Sequence, residues 1–336
     1  MEQSDVLLEV KGLKTHFFLD EGTVRAVEGV DFSLQRGGTL GIVGESGCGK
    51  TVTAYSITQL IQSPGRIVGG QVLFHRRNGD GSEDVVDLAK LRPTSREMTS
   101  IRGSEIAMVF QEPMTAFSPV HTIGDQIMEV ILLHRKVGKD EARAQTVDML
   151  RRVGIPKAET RLDAFPFQLS GGMRQRAMIA MALVCRPSLL IADEPTTALD
   201  VTMQAQILDL MQHLQRELGM AVILITHNLG VVAEVCDEVA VMYLGQVVEQ
   251  SSVDELFNEP LHPYTQALLR SIPQLGRSRD QHLDSIRGVV PDPYNRPTGC
   301  PFHPRCDKMI AGRCDTQEPM LTTLPDGRAV SCWLYV

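Results

Sequence analysis

Three short runs, Thr39–Val43, Ser188–Ala192 and Ala221–Thr226, are almost wholly apolar and show no polar alternation. Runs of this kind predict strands buried on both faces of a parallel sheet. Each leads into polar or glycine-rich residues and then into a helical pattern, the succession expected of an α/β core. The first hundred residues read differently. Leu7–Leu13, Val24–Phe32 and Val72–Arg76 alternate or carry β-branched residues. "NGDGS" at Asn78–Ser82 signals a turn between Val72–Arg76 and Asp84–Leu88. These segments predict an antiparallel layer beside the parallel core. From Ile123 to Val153 the apolar positions Ile127, Val130, Ile131, Val147, Leu150 and Val153 follow a helical pattern. After about Pro260, proline and glycine increase and periodicity weakens, so a loop-rich C-terminal extension is expected.

Composition narrows this picture. With 43% hydrophobic and 22% charged residues the chain is ordinary globular protein, not a disordered one. A net charge of −8 and the lack of a basic block argue against a nucleic-acid partner. No apolar run approaches the roughly 20 residues a membrane helix needs. The first residues, "MEQSDVLLEV", show no basic region followed by an apolar stretch, so a cytosolic, reducing setting is expected.

Chemistry concentrates at the ends of the buried runs. "GIVGESGCGKT" follows the first, and Gly44, Gly49, Lys50 and Thr51 fit the phosphate-loop pattern. Glycines let successive N–H groups of Gly44, Glu45, Ser46, Gly47, Cys48 and Gly49 turn inward onto phosphate oxygens. The helix starting there adds the positive end of its dipole. Lys50 reaches the terminal phosphates and Thr51 can ligate Mg²⁺. Cys48 reads as a small side chain that fits, with a reactive thiol as the other reading. "LLIADEPTTALD" places Asp193 at a strand end, where it can orient Mg²⁺, and Glu194 next to it, where it can polarise a water. His227, after "VILIT", occupies the edge where α/β sheets bind ligands.

Together with "LSGGMRQRAMIAMAL", these motifs make the chain resemble the ATP-binding subunits of ABC transporters, over about Val6 to Gln250. The resemblance implies a P-loop ATPase with a parallel-sheet core, an antiparallel β layer and a helical subdomain at about 112–170. It implies an ATP-binding domain over 1–258 and a C-terminal extension over 259–336. It further implies that Ser170, Gly171 and Gly172 bind the γ-phosphate of ATP held by an opposing subunit. Ser170 is also suited to cap a helix whose free N–H groups favour an anion. Gln111 in "MVFQEPMTAFSP" would sense Mg²⁺ and the attacking water and touch the membrane subunit. Glu194 would be the general base, His227 the switch, and Asp200 a residue of the dimer interface. Phe17 matches the position that stacks on adenine, with Phe18 as the alternative and core packing as the plain reading. Met173 stands where many relatives carry glutamine; peptide importers often have methionine there.

"EPLHPYTQALLRSIPQL" resembles the C-terminal extension of dipeptide, oligopeptide and nickel importer ATPases. The implied function is hydrolysis of ATP, as an ATP-sandwiched dimer, to drive import of dipeptides or oligopeptides. The implied partners are a second ATPase subunit (a paralogue, or an identical copy), two permease subunits and, indirectly, an extracytoplasmic solute-binding protein. The implied place is the cytoplasmic face of the plasma membrane. Alternatives are import of nickel or another solute, or a soluble ABC ATPase of DNA repair or translation. The interval from Lys50 to Gln168 is too short for the long coiled coil of repair members, and the chain carries one ATP-binding domain where translation factors usually carry two.

Seven cysteines complete the inventory. Cys185 and Cys236 sit in apolar helical text and read as packed thiols. Cys300, Cys306, Cys314 and Cys332 follow a C-x5-C-x7-C-x17-C spacing. Compact zinc sites use shorter intervals, and iron–sulfur clusters also take four thiolates, so spacing leaves zinc, iron and free thiols open. His303 could replace one thiolate, or be an ordinary surface residue. The resemblance to dipeptide-importer ATPases implies a 4Fe–4S cluster on the four cysteines, with zinc as the alternative.

Overall fold

The computed structural model describes residues 5–77, 82–197, 199–271 and 286–336. The chain forms two compact units. One comprises Met1–Leu34, Thr39–Lys90 and Ile225–Val336; the other comprises Gln35–Gly38 and Leu91–Leu224.

The first unit opens with β1 (Val6–Leu19), β2 (Gly22–Gln35), β3 (Thr39–Val43), α1 (Lys50–Ile57), β4 (Gly65–Arg77) and β5 (Glu83–Asp87). One sheet has the order β2-β1-β4-β5 and is the antiparallel layer expected from the alternating text. Leu8 faces Phe74 and Val10 faces Val72 across β1 and β4, and all four side chains are buried. The β4–β5 hairpin pairs Arg77 with Glu83; Asn78–Gly81 of its expected turn lie outside the described residues.

The second unit holds α2 (Arg96–Ile101), β6 (Ile106–Val109), α3 (Pro113–Ala116), α4 (Ile123–His134), α5 (Lys139–Arg152), α6 (Ala158–Arg161), α7 (Gly171–Leu183), β7 (Leu189–Asp193), α8 (Val201–Leu218) and β8 (Ala221–Ile225). Its strands run in the order β8-β7-β6, with β6 and β7 parallel, Ile106 beside Leu189 and Val109 beside Ala192. Ile207, Leu208, Met211 and Leu214 form the buried stripe of α8, and Gly219 ends that helix in a left-handed conformation. The helical text from Ile123 to Val153 is two helices, not one. α4 stops at Arg135 and α5 starts after Gly138, because a glycine-containing link interrupts the stripe. Cys185 lies in the turn after α7, and not in a helix as its apolar surroundings suggested.

The chain returns to the first unit with α9 (Leu229–Val235), β9 (Glu238–Tyr243), β10 (Gln246–Ser252), α10 (Val253–Asn258), α11 (Pro263–Arg270), β11 (Thr322–Thr323) and β12 (Ala329–Val330). These strands and β3 are ordered β11-β12-β10-β9-β3. β3 and β9 are parallel, whereas β10 and β12 pair antiparallel. The loop-rich extension therefore also supplies strands, and Ser331 donates its N–H to the Val248 carbonyl at 2.9 Å. A buried cluster under β9 joins Tyr243, Tyr264 and Phe302, with ring centroids 4.7 to 5.4 Å apart.

Candidate functional site

In the first unit, β3 delivers the chain into Gly44–Thr51. Gly44 has φ +152°, and a Cβ there would sit 2.2 Å from the Met242 carbonyl oxygen. Gly49 has φ +103°, and its Cβ would sit 2.3 Å from the Ala26 oxygen. Both positions exclude any side chain. Lys50 begins α1 and is buried; its Nζ donates to the Gly44 oxygen at 2.8 Å and the Glu45 oxygen at 3.1 Å. Cys48 is buried 3.8 Å from Lys50 Nζ, and burial pushes its thiol up despite that neighbouring charge. This favours the packed reading of Cys48.

Glu45 is held by residues from far along the chain. Its N–H donates to the Tyr264 hydroxyl at 3.0 Å. Its carboxylate takes both arms of Arg305, at 2.7 and 3.1 Å. Burial works against the Arg305 charge, yet Glu45 and the Tyr243 hydroxyl raise its pKa above the ordinary arginine value. Phe17 is half-buried against Gly65 and Ile61, and a Cβ on Gly65 would lie 2.5 Å from its ring. Phe18 is more exposed and carries the Arg66 guanidinium 4.2 Å from its ring centre. His227 is exposed between β8 and α9, next to Asn228, which caps α9.

The second unit carries the other motif residues. Asp193 is the buried last residue of β7. Glu194 follows with φ +45°, a left-handed conformation that costs a non-glycine residue of order 1 kcal/mol or more and turns its side chain out of the strand. Its Oε2 accepts from Gln111 Nε2 at 3.1 Å and from Thr197 Oγ1 at 2.8 Å. Gln111 thus keeps its amide oxygen for another partner. Ser170 caps α7 by accepting from Met173 N–H, and Asp200 caps α8 by accepting from Met203 N–H at 2.9 Å. The two caps are neighbours, since a Cβ on Gly172 would lie 2.1 Å from the end of the Met203 side chain. Exposed apolar side chains flank them: Phe167 is 65% and Val201 84% exposed.

Residues 27–197 match the family model for ABC transporters. The chain belongs to the ABC transporter family. Residues 248–314 match the model for the oligopeptide/dipeptide transporter C-terminal region. The chain is 51% identical to the oligopeptide transport ATP-binding protein AppD of Bacillus subtilis, over 98% of its own length and 97% of the relative's. It is 50% identical to the probable peptide ABC transporter ATP-binding protein y4tR of Sinorhizobium fredii, over 98% and 96%. It is 47% identical to the dipeptide transport ATP-binding protein DppD of Escherichia coli, over 97% and 96%. Among solved structures, it resembles cbiO1 of Clostridium perfringens, part of the ABC transporter complex cbiONQ, with 30% identity and TM-score 0.61 over 76% of this chain and 92% of that one. It also resembles the dimeric bacterial ABC transporter cassette MJ0796, with 25% identity and TM-score 0.62 over 74% and 99%.

The four C-terminal cysteines line one pocket with His303, Lys308 and Trp333. Cys300, Cys314 and Cys332 are buried and Cys306 is half-buried. Burial, then the neighbouring thiols, push Cys300 up to about 11; burial likewise raises Cys306 and Cys332. Ile310 N–H donates to Cys314 Sγ at 3.4 Å. His303 uses Nδ1 on the Cys300 carbonyl at 2.9 Å, so that nitrogen is committed to the turn. Among the described residues, however, no three His, Cys, Asp or Glu side chains are arranged to hold a metal ion. The thiols share a pocket, but the geometry of a metal centre expected from the resemblance is not present. Cys236, pushed by burial up to about 12, and Cys185, also raised by burial, behave as packed thiols.

Sequence reasoning missed Tyr264 and Arg305 as partners of the phosphate loop. Tyr264 lies inside the quoted extension text and Arg305 just before Cys306, but contacts spanning 219 and 260 positions leave no local signal.

Proposed function

We propose that this chain hydrolyses ATP to drive import of dipeptides or oligopeptides through a membrane permease. The match of residues 248–314 to the oligopeptide/dipeptide transporter C-terminal region is the observation that carries this reading over repair or translation. The names of the AppD and DppD relatives support it. No helix among the described residues is long and apolar enough to cross a membrane. The permease would be formed by other subunits, and this chain would work at their cytoplasmic face.

In this reading, Gly44–Thr51 cradle the phosphates, and Phe17, with Phe18 as the alternative, offers its ring to adenine. Thr51 of the first unit, and Asp193 and Gln111 of the second, each carry an oxygen donor of the kind Mg²⁺ takes, and a bound ion would neutralise charge on the terminal phosphates. Glu194, oriented by Gln111 and Thr197, takes the proton of the attacking water. His227 senses the γ-phosphate. Ser170, Gly171, Gly172 and Asp200 face the nucleotide of a second ATPase subunit, a paralogue or an identical copy. Exposed Phe167 and Val201 beside them suit burial in that interface. An extracytoplasmic binding protein would deliver the solute. The functional division we propose is an ATP-binding domain over 1–258 and an extension over 259–336.

For the extension we propose a 4Fe–4S cluster on Cys300, Cys306, Cys314 and Cys332, with zinc as the alternative. Convergence of four thiols on one pocket supports it, although among the described residues no three His, Cys, Asp or Glu side chains are arranged to hold a metal ion. A bound cluster would supply a cross-link in a segment poor in regular structure. Metal analysis and the visible spectrum of anaerobically purified protein decide between iron, zinc and free thiols.

The test of the main reading is reconstitution with the native permease subunits. Peptide-dependent ATP hydrolysis and uptake of labelled dipeptide are expected. Hydrolysis that ignores the permease and every peptide would overturn it.

A further inference from the structure

Glu45 is the second residue of the phosphate loop, and it carries a negative charge into a loop that takes a polyanion. Left alone, that carboxylate would repel the phosphates. It is only 25% exposed, and both its oxygens are engaged by one guanidinium, that of Arg305. Arg305 is no mobile surface cation. Its side chain is 4% exposed, its Nε donates to the Arg287 carbonyl at 2.9 Å, and its Nη1 also reaches the Tyr243 hydroxyl at 3.3 Å. The Tyr243 and Phe302 rings lie within 5.8 and 6.0 Å. The fork is thus fixed by three other groups and aimed at one carboxylate, the geometry in which a bidentate pair is strongest.

The grip on Glu45 extends to its backbone. Tyr264, fully buried, accepts the Glu45 N–H, while the Glu45 carbonyl accepts from Lys50. Two of these three attachments come from the C-terminal region, one from α11 and one from the turn between Cys300 and Cys306.

We propose that Arg305 and Tyr264 are positioning residues of the nucleotide site, Arg305 cancelling the Glu45 charge and Tyr264 fixing the backbone from which Lys50 reaches phosphate. The C-terminal region is then part of the ATP-binding apparatus and not only an appendage beside it. This inference rests on the reading of Gly44–Thr51 as a nucleotide loop.

The test is a double-mutant cycle on MgATP affinity in the full chain, with wild type, Arg305→Gln, Glu45→Gln and the double variant. Arg305→Gln is expected to weaken MgATP roughly 10-fold, the scale of one uncancelled charge near the ligand. It should raise KM for ATP while kcat at saturating ATP stays within about 2-fold. Glu45→Gln, which leaves the Arg305 charge uncancelled, should bind more tightly than wild type although it breaks the same ion pair. The double variant, with neither charge, should return to within about 2-fold of wild type, and Arg305→Lys should recover part of the loss. Equal weakening in Arg305→Gln and the double variant would overturn the inference, as would wild-type affinity in Arg305→Gln. Should Arg305→Gln fail to fold, Glu45→Gln alone decides: tighter binding upholds the proposal, and unchanged or weaker binding overturns it. Wild-type protein that binds no MgATP would instead overturn the nucleotide reading, and the inference with it.

Discussion

The phosphate loop and the exposed edge of the second unit are built in opposite ways. Gly44 and Gly49 leave no room for a side chain, Lys50 is 6% exposed, and its ammonium is engaged by loop carbonyls. Ser170, Gly171, Asp200 and Gln111 lie on the surface. They are held by helix caps and single hydrogen bonds, and a Cβ on Gly171 would meet nothing within 4 Å. One region is built by its own chain. The other leaves its groups on the surface; on the proposed reading a second ATPase subunit would complete their surroundings, and hydrolysis would then depend on assembly.

That contrast can be broken at four places, the largest first. Glu194→Gln is expected to hydrolyse ATP at least ~100-fold more slowly with MgATP affinity retained; near-normal phosphate release would remove Glu194 from its role. Gly49→Ala is expected to cost roughly 1–3 kcal/mol in denaturant unfolding and to abolish nucleotide binding. Gly171→Ala should leave stability within about 0.5 kcal/mol or raise it, while slowing turnover of the assembled dimer. If the two alanines cost the same, the distinction between a built and an open region fails.

Third, the tail beside the phosphate loop should be acid-sensitive. His262 is buried and accepts the Tyr264 N–H on Nδ1, and burial depresses its pKa to about 3. The unfolded chain therefore takes up this proton first, near pH 6.5. Stability is lost as pH falls from there toward 3, by about 2 kcal/mol at pH 5. Glu249, which accepts the His262 N–H and whose pKa burial raises, shifts in the opposite sense. Comparing thermal midpoints of wild type and His262→Asn across pH 5–7 isolates the histidine; parallel curves would discount it. Fourth, and smallest, Ser170→Ala and Asp200→Ala should each cost about 1 kcal/mol through loss of a cap. Chemical denaturation measures this, and an unchanged midpoint would mean that the caps matter only to the partner.

Much of the fold and of the motif set was legible in the chain because the responsible interactions are local. The apolar runs became β3, β7 and β8 to within a residue at their ends, and the serine and aspartate of the signature and dimer text became the caps of α7 and α8. What stayed hidden depends on distant pairing. Strands β11 and β12 are two residues each; β12 gains its identity by pairing with β10, and β11 by pairing with β12. The break between α4 and α5 was masked by continuous helical spacing. Glu194 gave no hint of its left-handed backbone, and Arg305 looked like one more basic residue among cysteines. The cysteine text implied a metal centre, yet spacing along a chain says nothing about how far apart four sulfurs come to rest.

The sequence order of the first unit has a cost in time. β3 pairs with β9, and the Thr39 N–H is bonded to the Asp237 carboxylate across 198 positions. At roughly 5–20 residues per second, a ribosome needs about 10–40 s to make that interval. For that period an almost wholly apolar strand, and the glycine loop it carries, are without the neighbour on that side. Such a segment is prone to aggregate while it waits. The phosphate loop is thus among the first functional parts to be synthesised and among the last to be secured.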